Sequence, residues 1–218
     1  MSPPNISQRA PRYIVIEGTI GVGKTSLAKR LATSFNVALM LEAAEDNPFL
    51  ERFYRNPRSA ALPAQLFFLF QRAKQLEALH QHDLFAATHV SDYLFDKDRL
   101  FARLNLETDE LDLYEQVYAR LAIEIPQPDL VIYLQAPTDV LLERIARRGI
   151  RYEQQIERSY LERLNQAYAS FFYDYRAAPL LIVNAAQADF INRDQDYEQL
   201  LAELVRVKPG RQYFNPAY

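Results

Sequence analysis

Short, wholly apolar runs alternate along this chain with longer segments in which apolar residues recur every three or four positions. The first run, "YIVIEG" at 13–18, is apolar until it closes on an acid and a glycine, as expected of a strand buried on both faces. After a glycine-containing loop, "KTSLAKRLATSF" sets Leu27, Leu31 and Phe35 about one helical turn apart, and "VALMLE" follows as a second buried strand ending in Glu42. "NPFLERFYRNP" reads as helix, with Pro48 suited to a first turn and Pro57 closing the segment. "ALPAQLFFLFQRAKQLEALHQH" predicts a long helix whose first half is apolar nearly all round and therefore buried. "LFAATHVSD" is the third strand, 107–124 another helix, and "PQPDLVIYLQA" the fourth strand. "PTDVLLERIARRGI" predicts a helix capped near Thr138 or Asp139, with three arginines flanking Gly149 at its end. A helix over 156–176, the strand "PLLIVNA" and a last helix near 195–206 complete the pattern, and "KPGRQYFNPAY" shows no period.

Strands alternating with helices predict an α/β fold of three layers, with about five parallel strands, right-handed crossovers and helices on both faces. One domain over 12–206 accounts for the pattern, with a disordered leader at 1–11 and an irregular tail at 207–218. Such sheets bind ligands beyond the carboxyl ends of their strands, so every acid at a strand end is a candidate site residue.

Composition narrows the function classes. With 218 residues, 49% of them hydrophobic, the chain can bury a sizeable core, and a net charge of −3 gives no footprint for long nucleic acids. The absence of cysteine excludes disulfides, zinc thiolate sites and thiol nucleophiles. No apolar run approaches the roughly 18 residues of a membrane span, and the leader lacks the apolar core of a secretory signal, so a cytoplasmic location without membrane contact is expected.

The most specific local signal is "GTIGVGKT", Gly18, Thr19, Ile20, Gly21, Val22, Gly23, Lys24 and Thr25, which fits G-x-x-x-x-G-K-[ST] between a predicted strand and helix. Its glycines let backbone amides turn towards phosphate oxygens, and the helix N-terminus adds partial positive charge. Lys24 would reach the outer phosphates and the Thr25 hydroxyl would hold Mg²⁺. A P-loop fold that uses a nucleoside triphosphate follows; what is done with the nucleotide does not. An acid ending the second strand, a polar Gln65 within an aromatic helix and an arginine-bearing lid after the fourth strand then favour a small-molecule kinase over a switch or motor.

With these features in place the chain resembles the deoxynucleoside kinases over about residues 12–205, through "EGTIGVGKTSLA", "LEAAEDNPFLERFYRNP", "PAQLFFLFQRAKQ", "DLVIYLQA" and "LLERIARRGIRYEQQIERSYLERLNQAY". The resemblance implies transfer of the ATP γ-phosphate to the 5′-hydroxyl of a deoxynucleoside. It makes Glu42 the carboxylate that takes the hydroxyl proton, although Ala43 and Ala44 follow where the family usually places Pro. It aligns Tyr54 with the tyrosine that touches the sugar 3′-hydroxyl, Gln65 with the glutamine that pairs with the base edge, Arg72 with a position that helps choose among bases, and Phe101 with the aromatic against the base plane. In the lid, Arg144 and Arg148 match arginines that close over the donor phosphates, and Glu153 matches the acid that reaches the 3′-hydroxyl. Relatives are commonly dimers built through helices, so the resemblance also implies a homodimer.

The third strand departs from the family, which usually ends it with acid-Arg-Ser. Here "SDY" at 91–93 keeps an acid, Asp92, as the Mg²⁺-side carboxylate and lacks the arginine, while Lys97 falls where many relatives have an Asp. The missing charge would have to come from Lys97, Arg99 or the lid. Two further readings stay open: a nucleoside monophosphate kinase of the thymidylate kinase type, and a nucleotide-binding regulatory protein with weak or lost turnover.

Overall fold

Six parallel strands form the spine of the computed structural model, which describes residues 11–81, 88–121 and 125–216. They are β1 (Tyr13–Gly18), β2 (Ala38–Met40), β3 (His89–Ser91), β4 (Leu130–Gln135), β5 (Leu180–Asn184) and β6 (Arg211–Phe214), in the spatial order β2-β3-β1-β4-β5-β6. The helices are α1 (Lys24–Phe35), α2 (Leu50–Arg55), α3 (Ala61–Gln81), α4 (Lys97–Asn105), α5 (Thr108–Leu121), α6 (Thr138–Arg148), α7 (Arg158–Asp174) and α8 (Asp194–Leu204), and they flank the sheet. The three-layer α/β architecture is the one the alternation predicts.

Central strands are apolar because both faces are covered: every residue of β1 is buried, as is β4 up to Gln135. The main core joins these strands to Leu27 and Leu31 of α1, Leu141 and Ile145 of α6, and Leu161, Leu164 and Tyr168 of α7. A second core packs Leu69 and Leu76 of α3 against Phe95, Ala102 and Tyr114, tying α3, α4 and α5 together. That cluster carries the wall from which Gln65, Arg72 and Lys97 enter the cleft.

The register sets up the site. Val15 of β1 and Met40 of β2 both pair with Ser91 of β3, so the segments leaving the three strands emerge side by side. Glu42, Asp92 and the Gly18–Thr25 loop therefore share one edge, at the carboxyl ends of the strands.

Several expectations are corrected. The tail over 207–218 contains the sixth strand: Arg211–Phe214 pairs in parallel with β5, entered through Gly210 at φ 94°. Strand β2 is three residues long and lies at the sheet edge with Ala38 and Leu39 exposed, so it is not buried as its composition suggested. Pro137 occupies the cap of α6, and Thr138 is already helical, with no side-chain cap. Apart from Pro11, the expected leader lies outside the described residues, as do 84–87 of the third-strand segment and 122–124 of the helix that follows α4.

Candidate active site

The phosphate loop takes its shape from backbone geometry that only glycine adopts without strain. Gly18 has φ 147°, and a Cβ there would lie 2.4 Å from the Leu134 carbonyl oxygen, so β1 and β4 could not approach as they do. Gly23, at φ 106°, caps α1 and has open space where a side chain would be. Lys24 begins the helix and donates to Gly18 O at 2.7 Å and to Thr19 O at 3.4 Å, holding its ammonium over the loop. Burial first, and then the nearby Lys97 ammonium, push Lys24 down to about 8.

Thr25, Asp92 and Glu42 meet next to this loop. The Thr25 hydroxyl donates to Asp92 Oδ2, while Asp92 Oδ1 accepts the Glu42 amide at 2.8 Å. Burial raises the Asp92 carboxyl, opposed by those two hydrogen bonds. A hydroxyl and a carboxylate in contact beside a phosphate loop suit Mg²⁺, a hard cation held by one or two protein oxygens together with substrate phosphates. Among the described residues no cluster of three or more potential ligands could hold a metal on protein side chains alone.

The Glu42 carboxylate has cations on both oxygens. Arg72 donates to Oε1, and Lys97 Nζ lies 3.7 Å from Oε2. Burial would raise the Glu42 carboxyl, but Arg72, Lys97 and Lys24 outweigh it and hold the group at about 2. Arg72 is 3% exposed and also donates to Asp98, whose second oxygen accepts the Tyr114 hydroxyl at 2.8 Å. Lys97 is tied at 3.1 Å to Glu17, which is fully buried at the end of β1. The result is a line of alternating charge: Asp98, Arg72, Glu42, Lys97, Glu17.

One cleft brings together all six residues expected to bind the acceptor. Tyr54, Gln65, Arg72, Phe101, Arg148 and Glu153 line it with Glu42, Lys24, Thr25 and Asp92. Gln65 is 4% exposed and its Oε1 has no hydrogen-bond partner, a cost that a polar ligand edge would remove. Tyr54 stacks on Tyr152 with ring centroids 6.0 Å apart, and burial raises its hydroxyl well above the usual range. Phe101 meets Tyr168 edge-on at 6.1 Å. Arg148 and Glu153 pair with each other, Nε to Oε2 at 2.9 Å. Arg144 is placed differently: it lies outside the cleft lining and donates to the carbonyls of Val22, Ala185 and Ala188, bracing the phosphate loop against the end of β5.

Comparison with known proteins settles what this geometry belongs to. The family model for deoxynucleoside kinases matches residues 14–207. The chain belongs to the deoxynucleoside kinase family. A deoxyguanosine kinase of Bacillus subtilis (strain 168) is 36% identical over 197 residues, covering 88% of this chain and 95% of the relative. A deoxyadenosine/deoxycytidine kinase of the same organism is 27% identical, covering 89% and 92%. Among solved structures, a deoxyadenosine kinase from M. mycoides with the products dCMP and a flexible dCDP bound superposes with a TM-score of 0.76 at 25% identity, covering 89% of this chain and 100% of that one. The same enzyme with dATP bound also gives 0.76, with 88% and 98% covered. This deoxynucleoside kinase is an ATP-dependent phosphotransferase acting on a hydroxyl group, and among its described residues no helix is long and apolar enough to cross a membrane.

Sequence reasoning offered Lys97 as one of several sources of the missing charge and assigned no site role to Glu17, Asp98 or Tyr114 in this kinase. The signal for Glu17 was present as a lone acid in an otherwise apolar central strand. It accepts from Gly18 N at 3.0 Å, Leu94 N at 2.7 Å and Tyr168 Oη at 2.9 Å, so this single carboxylate ties the phosphate loop, the segment after β3 and α7 together.

Proposed function

We propose that Glu42 is the general base by which this kinase phosphorylates the 5′-hydroxyl of a purine deoxynucleoside, with deoxyguanosine as the preferred acceptor. The observation that carries this reading is the Glu42 carboxylate, held ionised in the cleft beside Lys24 and the phosphate loop. A hydroxyl attacking a γ-phosphate needs a proton acceptor within hydrogen-bond reach, and the pairing with Arg72 and Lys97 keeps Glu42 charged and oriented for it. Loop amides and Lys24 cradle the β- and γ-phosphates. Thr25 and Asp92 would hold Mg²⁺, which would supply neutralisation of the charge developing on those phosphates. Arg148 turns from Glu153 to the transferring group, freeing Glu153 for the sugar 3′-hydroxyl beside Tyr54, while Arg144 keeps the loop in place from behind.

Gln65 presents its unpartnered Oε1 to a base-edge donor, and Phe101 packs against the base plane. Since all four common bases offer an N–H donor on their pairing edge, the preference for guanine rests on the 36% identical B. subtilis relative. Following labelled phosphate from ATP into the four deoxynucleosides tests the whole reading. Deoxyguanosine giving the highest kcat/KM is the expected result, and transfer to none of the four would overturn it.

A further inference from the structure

Lys97 opens α4 and is 2% exposed, and an ammonium that deep has to be paired. Its nearer ion-pair partner, Glu17 at 3.1 Å, already accepts two backbone amides and the Tyr168 hydroxyl, so Glu17 is a fixed point that sets where Nζ sits. From there Nζ reaches the cleft, 3.7 Å from Glu42 Oε2 and 5.7 Å from the centre of the Phe101 ring. Oε1 of the same carboxylate is held directly by Arg72. At 3.7 Å the Lys97 contact is an ion pair without a hydrogen bond, which leaves Oε2 with lone-pair capacity for an incoming hydroxyl. The other cations that sequence reasoning offered are engaged elsewhere: Arg99 is 44% exposed and pairs with Glu115, and Arg148 pairs with Glu153.

We propose that Lys97 is the positioning cation of phosphoryl transfer, aiming Glu42 Oε2 at the 5′-hydroxyl and placing positive charge beside the oxygen that is phosphorylated. The inference rests on the reading of Glu42 as base. In the step, the O5′–H proton passes to Glu42 and the O5′–Pγ bond forms. The bond from Pγ to the β,γ-bridging oxygen breaks, and ADP leaves with that electron pair. As Glu42 gains the proton it loses its charge, and the Lys97 ammonium is left facing the negative charge of the transferring group. A cation beside a base weakens its hold on a proton, a cost that stays small where the transition state is loose and proton transfer comes late. The charge absent from the "SDY" segment is thereby supplied from the start of the following helix.

The test uses the full-length protein, with kcat and KM measured for ATP and the accepted deoxynucleoside in K97Q, K97M, K97R, E42Q and K97Q/E42Q, and with a melting curve for each. Gln at 97 can still donate to Glu17, and Met fills the volume; whichever variant melts as the wild type does carries the comparison. The expected result is a kcat about 100-fold lower with nucleoside KM changed less than about threefold, and recovery to within about tenfold of wild type in K97R. In the E42Q background, removing Lys97 should cost at most about threefold more, because both residues act on one event. Wild-type kcat in K97Q or K97M, multiplicative losses in the double variant, or a folded K97R as slow as the neutral variants would overturn the proposal. Wild-type turnover in E42Q would instead overturn the reading of Glu42, whatever Lys97 does.

Discussion

Arg72 and Glu42 form a buried ion pair across the floor of the cleft, and the same guanidinium binds Asp98 on its other side. One side chain of α3 thus joins the proposed base to α4, and Tyr114 of α5 completes the chain through Asp98. Two carboxylates share one planar donor, a geometry that a lysine cannot reproduce.

Replacing Arg72 with Met should therefore damage stability and turnover together. Asp98, fully buried, would lose its cation, and breaking such a pair from one side costs about 3–5 kcal/mol. Denaturant unfolding should show R72M/D98N to be less destabilised than the sum of R72M and D98N. Additive losses would mean that the two groups are not coupled.

Gln65 should separate stability from function. Its Oε1 is buried without a partner, so Gln65→Leu is expected to leave the melting temperature unchanged or raise it. The same change removes the proposed contact to the base and should lower kcat/KM for the nucleoside about 10- to 100-fold, mainly through KM. An unaltered KM would take Gln65 out of base recognition.

Lys24 gives a pH signature. Its ammonium, pushed down to about 8 by burial and then by Lys97, is partly neutral in the free protein at pH 8.5, and the triphosphate should raise it again. ATP binding at pH 8.5 should accordingly take up close to one proton, the uptake fading towards pH 7, and affinity should fall as pH rises through about 8. Calorimetry in buffers of different ionisation enthalpy reads this directly; heats independent of buffer at pH 8.5 would contradict it.

Magnesium dependence should run through Asp92 and Thr25. Chelation is expected to abolish transfer, and D92N should raise the Mg²⁺ concentration needed for half-maximal rate about tenfold or more, with saturating Mg²⁺ recovering part of the loss. A D92N variant with an unchanged Mg²⁺ profile would leave Asp92 as only the partner of Thr25 and of the Glu42 amide.

What could be read in the sequence follows how local each signal is. The phosphate loop was legible because its glycines, lysine and threonine act within one strand-loop-helix unit. Glu42 was legible as an acid beyond a strand, although β2 proved to be a short edge strand. Lys97 was legible only as one of several candidate cations, because its burial depends on Glu17 at the end of β1 and Glu42 beyond β2, both supplied by tertiary packing. Strand β6 was missed since "RQYF" pairs on one side only and stays partly exposed, which leaves no apolar run to read. The contacts of Arg144 to backbone carbonyls at the end of β5 could not be read either, because they join segments some forty residues apart.

The role of Glu42 is tested most directly by steady-state kinetics of Glu42→Gln with ATP and deoxyguanosine. The amide keeps the shape, and its single oxygen can still accept from Arg72 with the NH2 group turned towards Lys97, but it cannot take the proton. A fall in kcat of about 1,000-fold with nucleoside KM within about threefold of wild type is the predicted result. Turnover equal to the wild type would contradict it.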